Sequence, residues 1–67
     1  MMPNITRLEA AVLKRLASSA SLFLFDHDLR AAGRLAAWGL AKRGSLSYYQ
    51  FHATAAGKRL VRAFCGQ

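Results

Sequence analysis

From Ile5 to Ala17 the apolar residues recur about one helical turn apart. Leu8, Val12 and Leu16 follow Ile5, with Leu13 alongside. A period near 3.6 predicts an amphipathic helix over this stretch, with Arg7, Lys14 and Ser18 on its opposite face. Thr6-Arg7-Leu8-Glu9 has the spacing of a capping box, in which a threonine and a glutamate side chain satisfy each other's free backbone N–H groups. The pattern breaks at Ser18-Ser19-Ala20-Ser21, which reads as a loop.

Leu22 to Phe25 is apolar at every position and too short for a helix, so a small buried strand is expected there rather than a single tight helical turn. Asp26-His27-Asp28 precedes a second helical run to about Ala41. Either aspartate can cap that helix, where the positive end of its dipole favours a carboxylate. This run is apolar around most of its circumference. Leu29, Ala32, Ala36 and Leu40 lie on one side and Ala31, Leu35 and Trp38 on the next, leaving a stripe through Arg30, Arg34, Ala37 and Ala41 open. So wrapped, it should be the central helix, with Trp38 in the core and Gly33 admitting a close neighbour such as the first helix.

Lys42-Arg43-Gly44-Ser45 reads as a turn or a first short strand. Ser45 to Ala53 is expected to be extended, with Tyr49 and Phe51 inward and Tyr48, Gln50 and His52 outward. Thr54 is a natural N-cap for a last helix, Ala55 to about Phe64. That helix should turn Ala56, Leu60, Val61 and Phe64 inward and Lys58, Arg59 and Arg62 outward. The expected fold is α+β and mostly α, in the order α-β-α-β-β-α, with Leu35 and Trp38 packed against Val12, Leu16, Phe51, Leu60 and Phe64.

At 67 residues the chain has room for one domain only, residues 1–67. A domain this small buries roughly 60% of its extended-chain surface, so self-association into a homodimer is a further way to bury more. Ten Lys and Arg against three Asp and Glu give a net charge of +7, which points to a polyanionic partner: nucleic acid, an anionic membrane surface or an acidic protein face. The membrane surface is not the expected partner, because no helix is strongly apolar on one face and lysine-rich on the other. Cys65 stands alone, which leaves no internal disulfide and suits a reducing cytoplasm. The start shows no leader pattern, and nothing approaches the roughly 20 apolar residues of a membrane span. Asp26-His27-Asp28 is too tightly spaced to converge easily on a metal, and no cofactor-cradling glycine loop is present. With three acids in all and no nucleophile, base and orienting group that can be named together, an enzyme is not expected.

Gly39-Leu40-Ala41-Lys42-Arg43 and Thr54-Ala55-Ala56-Gly57-Lys58-Arg59 are the most specific phrases in the chain. Their order, with a helix before, an aromatic strand between and a helix after, resembles the C-terminal half of small bacterial winged-helix domains. There a recognition helix ends in a phrase like GLxxR, a hairpin follows, and LTxxGRxLL opens the closing helix. The resemblance covers roughly Leu8 to Phe64. It implies a short first strand paired with the wing and a transcriptional regulator that contacts duplex DNA through the second helix and the wing. Arg30, Arg34, Lys42, Arg43, Lys58 and Arg59 would be the nucleic-acid-binding residues. This chain departs from the family in one respect: between Leu16 and Gly39 there is space for one full helix, not for a positioning and a recognition helix together. The alternative is a phage- or prophage-encoded interaction module, an inhibitor or adaptor that keeps the scaffold and turns its basic surface to an acidic protein.

Overall fold

A computed structural model describes residues 5–65, with the side chains of Phe64 and Cys65 outside the description. The elements are α1 (Arg7–Ala17), β1 (Leu22–Phe23), α2 (Asp26–Ala37), β2 (Ala41–Arg43), β3 (Gln50–Ala53) and α3 (Ala55–Cys65), the expected α+β order. The three strands form one antiparallel sheet in the order β1-β3-β2. Leu22 pairs with Phe51, and Ala41, Lys42 and Arg43 pair with Ala53, His52 and Phe51. The helices cover one face of this sheet. Phe51, fully buried, is the largest side chain of a core completed by Val12, Leu13, Leu16, Leu24, Ala31, Ala32, Leu35, Leu40, Ala41 and Ala53. Leu60 and Val61 pack against its edge; the inward placement expected of Phe64 lies outside the described side chains.

Helices α1 and α3 carry the expected N-terminal caps. Thr6 Oγ1 accepts the Glu9 N–H at 3.1 Å, and Glu9 Oε1 accepts the Thr6 N–H at 3.0 Å, completing the capping box. Thr54 Oγ1 accepts the Gly57 N–H at 3.1 Å and so caps α3. At α2 the expectation fails. Phe25 occupies the N-cap position with no side-chain cap bond, and Asp26 enters the helix at φ 56°. Asp28 turns instead to Arg15 on α1, 3.1 Å away.

Several inward assignments are corrected by where elements stop. Helix α2 ends at Ala37, not near Ala41, because Gly39 adopts φ 79°, a left-handed conformation glycine takes without penalty. The Leu40 N–H then reaches the Leu35 carbonyl at 2.9 Å and the Gly39 N–H the Ala36 carbonyl at 3.0 Å, the two bonds of a Schellman turn. Leu40 thereby takes the core place beside Leu35, and Trp38, at the C-cap, is left 50% exposed. Ala41 leaves the open helical stripe and becomes a buried strand residue, while Ala36 faces solvent because the covered side of α2 is narrower than its apolar side.

Tyr49, expected inward beside Phe51, is 42% exposed. Residues 47–49 form a turn, and β3 starts only at Gln50, so the two-residue alternation does not reach back to Tyr49. On α1, Leu8 is exposed and Glu9 is buried on the apolar face instead. A Cβ on Gly33 would meet nothing within 4 Å, so that glycine faces open space and not the first helix.

The turn after α2 is locked to the start of α3. The Thr54 N–H donates to the Leu40 carbonyl at 3.1 Å, and the Thr54 hydroxyl donates to the Gly39 carbonyl at 2.7 Å. Gly57 lies against the same turn, and a Cβ there would fall on the Leu40 carbonyl oxygen. Helix propensity alone would favour Gly57→Ala by about 1 kcal/mol. The clash is with a hydrogen-bonded backbone atom that cannot rotate away, so the substitution is expected to lower the melting temperature, as overpacked sites do by about 1–3 kcal/mol. Leu35→Ala is expected to cost about 2–5 kcal/mol in chemical denaturation, because Leu35 is fully enclosed and its loss leaves a cavity.

Candidate nucleic-acid interface

Helix α2 packs mainly against α1 and β2, and one of its sides is exposed. Arg30, Gly33, Arg34 and Ala37 all lie on that exposed side. Arg30 is part of a shallow depression that it lines with Asp26 and His27 at the first turns of the helix. Asp26-His27-Asp28 does not act as one cluster, since Asp28 is held by Arg15 while its two neighbours face the depression. Among the described residues, no three His, Cys, Asp or Glu side chains are placed to hold a metal ion, and no helix is long and apolar enough to cross a membrane.

Arg34 has a second attachment. Its guanidinium forms an ion pair with Glu9, whose side chain is only 4% exposed. Glu9 carries its charge inside the domain, with one oxygen on the Thr6 N–H and the other on Arg34. The signal was present in the sequence: Glu9 falls in phase with Ile5, Val12, Leu13 and Leu16, so a charge on the apolar face had to find a partner. Arg15–Asp28 and Arg34–Glu9 lie six residues apart on each helix and in opposite senses, so the pairs join α1 and α2 as antiparallel neighbours.

Lys42 and Arg43 are adjacent in β2 and point to opposite faces of the sheet. Lys42 stands beside His52 on the uncovered face, together with Phe23 and Gln50. Arg43 lies over the rim of the covered face. Its Nε donates to the Tyr48 carbonyl at 2.8 Å, and its guanidinium carbon sits 4.1 Å from the Tyr48 ring centroid and 4.8 Å from that of Phe51. Lys58 and Arg59 are exposed on α3, which packs mainly on α1 and β3.

The six cations therefore occupy four surfaces: the open side of α2, each face of the hairpin, and α3. Arg30 and Arg34 are together; Lys42 and Arg43 are separated by the sheet they stand on. An aromatic group not expected from the sequence stands exposed at the end of the hairpin. Phe25 and Tyr49 lie with ring centroids 5.0 Å apart, and Tyr48 meets Tyr49 edge-on at 5.4 Å. The turn at 47–49, which shortens the extended segment, is what sets Tyr49 beside Phe25 and Tyr48. No protein-family model matches the chain, and no match was found among curated proteins or among solved structures.

The Glu9 pair makes the two arginines of α2 unequal. Arg34→Ala is expected to destabilise the domain by about 1–3 kcal/mol, because it strands a buried carboxylate. Arg30→Ala removes a solvent-facing cation and should change stability by no more than about 0.5 kcal/mol. Urea denaturation of the two variants measures the difference.

Proposed function

We propose that this chain is a small nucleic-acid-binding protein of winged-helix type, holding duplex DNA by its backbone through the open side of α2 and the β2–β3 hairpin. The observation that carries this reading is the uncovered side of α2, a smooth surface of Gly33 and Ala37 with Arg30 and Arg34 upon it, leading directly into the hairpin. The sheet order β1-β3-β2 supports it, since β1 lies beside the wing as the resemblance implies. The Gly39-Leu40 and Thr54-Gly57 phrases, which carry that resemblance, are in direct contact. The charge of +7 supplies the long-range attraction to phosphate. Residues 18–25 contain a loop and a two-residue strand where a positioning helix would stand, so the mode of binding is contact with phosphates rather than deep insertion of α2 in a groove.

A second reading rests on a different observation. Leu46, in the hairpin loop, is 82% exposed, and residues 44–49 contain no cation. An uncharged, apolar loop suits a protein surface, as in an inhibitor or adaptor on the same scaffold.

Titration against duplex DNA across a salt series separates the two. Binding by phosphate contacts should weaken steeply with salt, with a log–log slope of about −0.9 per phosphate neutralised. Arg30→Ala should weaken all sequences alike and reduce that slope by about one unit. Arg30 is the variant of choice, because removing Arg34 also disturbs Glu9. Absence of binding at low salt would transfer the assignment to the protein-partner reading.

A further inference from the structure

Three large aromatic side chains stand in solvent at the end of the hairpin where α2 begins. Phe25, Tyr48 and Tyr49 are 55%, 62% and 42% exposed, yet they touch one another as a group. Their backbone is held from several directions. Arg43 Nε bonds the Tyr48 carbonyl at 2.8 Å, and the Leu24 N–H donates to the Tyr49 carbonyl at 2.8 Å. The Ser47 hydroxyl accepts the Tyr49 N–H at 3.1 Å, and the Ser47 carbonyl accepts the Gln50 N–H at 3.2 Å. Gln50 in turn accepts the Leu46 N–H at 3.2 Å and donates to the Ser21 hydroxyl at 3.1 Å, which ties the loop to the approach of β1. A ledge so fixed before any ligand arrives loses little conformational freedom on binding.

We infer that this ledge is a stacking platform for unpaired nucleobases, so that the nucleic acid bound contains a single-stranded segment. The inference rests on the nucleic-acid reading above and narrows it. Every base offers a flat face that stacks on an aromatic ring, and aromatic platforms beside cations hold single strands without regard to sequence. Arg43 is the cation at this site. Lying over one face of Tyr48, it orients that ring and brings positive charge to where the strand's backbone would run. The charge of the whole chain, +7, complements a polyanion. A blunt duplex offers this ledge less, because its base faces are already stacked within the helix. A second copy of this chain also suits it poorly. Each copy carries the same +7, and two of the three acids, Glu9 and Asp28, are engaged by Arg34 and Arg15.

The test compares an oligothymidylate of about 12 nucleotides with a blunt duplex of the same length, at low salt, by fluorescence anisotropy. Wild type is expected to bind both. Tyr48→Ala should weaken the oligothymidylate by about 5- to 150-fold and weaken the duplex by a clearly smaller factor. Tyr48→Phe, which keeps the ring, should bind the oligothymidylate like wild type. Upfield shifts of the Tyr48 and Tyr49 ring protons on adding oligothymidylate to wild type are expected, and they need no variant to fold. Equal weakening of both ligands by Tyr48→Ala, or no weakening of either, overturns the inference, as does an absence of ring shifts. Binding to phosphatidylserine vesicles in place of the oligothymidylate also overturns it. Wild type that binds duplex but not oligothymidylate removes this inference and leaves the nucleic-acid reading standing; wild type that binds neither removes both.

Discussion

The fold depends on how the Gly39–Leu40 turn is held. Gly39 ends α2 by taking a left-handed conformation, which swings Leu40 into the core and aims the chain into β2. Ending a helix leaves carbonyls without intrahelical partners, and here those exposed on the turn are met by α3. Thr54 bonds the carbonyls of both turn residues while capping its own helix, and Gly57 allows the backbones to touch. Three consequences follow from one contact: where α2 stops, where β2 starts, and how α3 enters. The pairing of Ala41 with Ala53 and of Lys42 with His52 follows, and with it the face of the sheet to which each cation points.

A domain of this size has little stability to spare, and it places several of its charges in structural work. Glu9 is buried among apolar neighbours, where an unpaired carboxylate would be costly. The capping bond and Arg34 supply partners for both of its oxygens and offset that cost. Arg15 and Asp28 make a more exposed pair of small energetic weight, which nevertheless sets the same antiparallel register of α1 and α2. Arg43 supports the turn at Tyr48. The cations of this chain are therefore not interchangeable. Arg30 and Lys42 project from a helix and a strand that other contacts hold in place, whereas Arg34 and Arg43 are also part of what holds the protein together.

This division shapes the functional proposal. Positive charge spread over α2, both faces of the sheet and α3 attracts a polyanion from many directions but does not by itself make a single track. Direction comes from surfaces that are open and rigid: the side of α2 carrying Arg30, and the aromatic ledge beside its first turn. The two are adjacent in the chain through Phe25 and Asp26, so a nucleic acid with paired and unpaired parts could meet both.

The residues alone determined the elements and their order. Helical periodicity in α1 and α3, the Thr6–Glu9 box and the Thr54 cap are local features, and local hydrogen bonding decides them. The buried identities of Val12, Leu16, Leu35 and Phe51 were legible for the same reason. The apolar run at Leu22 marked a strand, but its pairing with Phe51 cut it to two residues and left Phe23 and Phe25 exposed rather than buried. What escaped was every assignment that depended on where an element ends relative to a neighbour. Trp38 and Leu40 both lie on the apolar side of an uninterrupted helix, and only the docking of α3 on Gly39 and Leu40 decided that leucine goes in and tryptophan stays out. Tyr49 and Phe51 share a parity, and only the turn closed by Ser47 and Arg43 separated them. Arg30 and Arg34 look alike in the sequence, and Lys42 and Arg43 look like one basic turn. The approach of α1 gave Arg34 a carboxylate to hold, and the pleat of β2 set Lys42 and Arg43 on opposite faces. A side chain's type and its place in a local period are written in the chain; where each period stops, and which partner meets a side chain there, is set by contacts between segments distant in sequence.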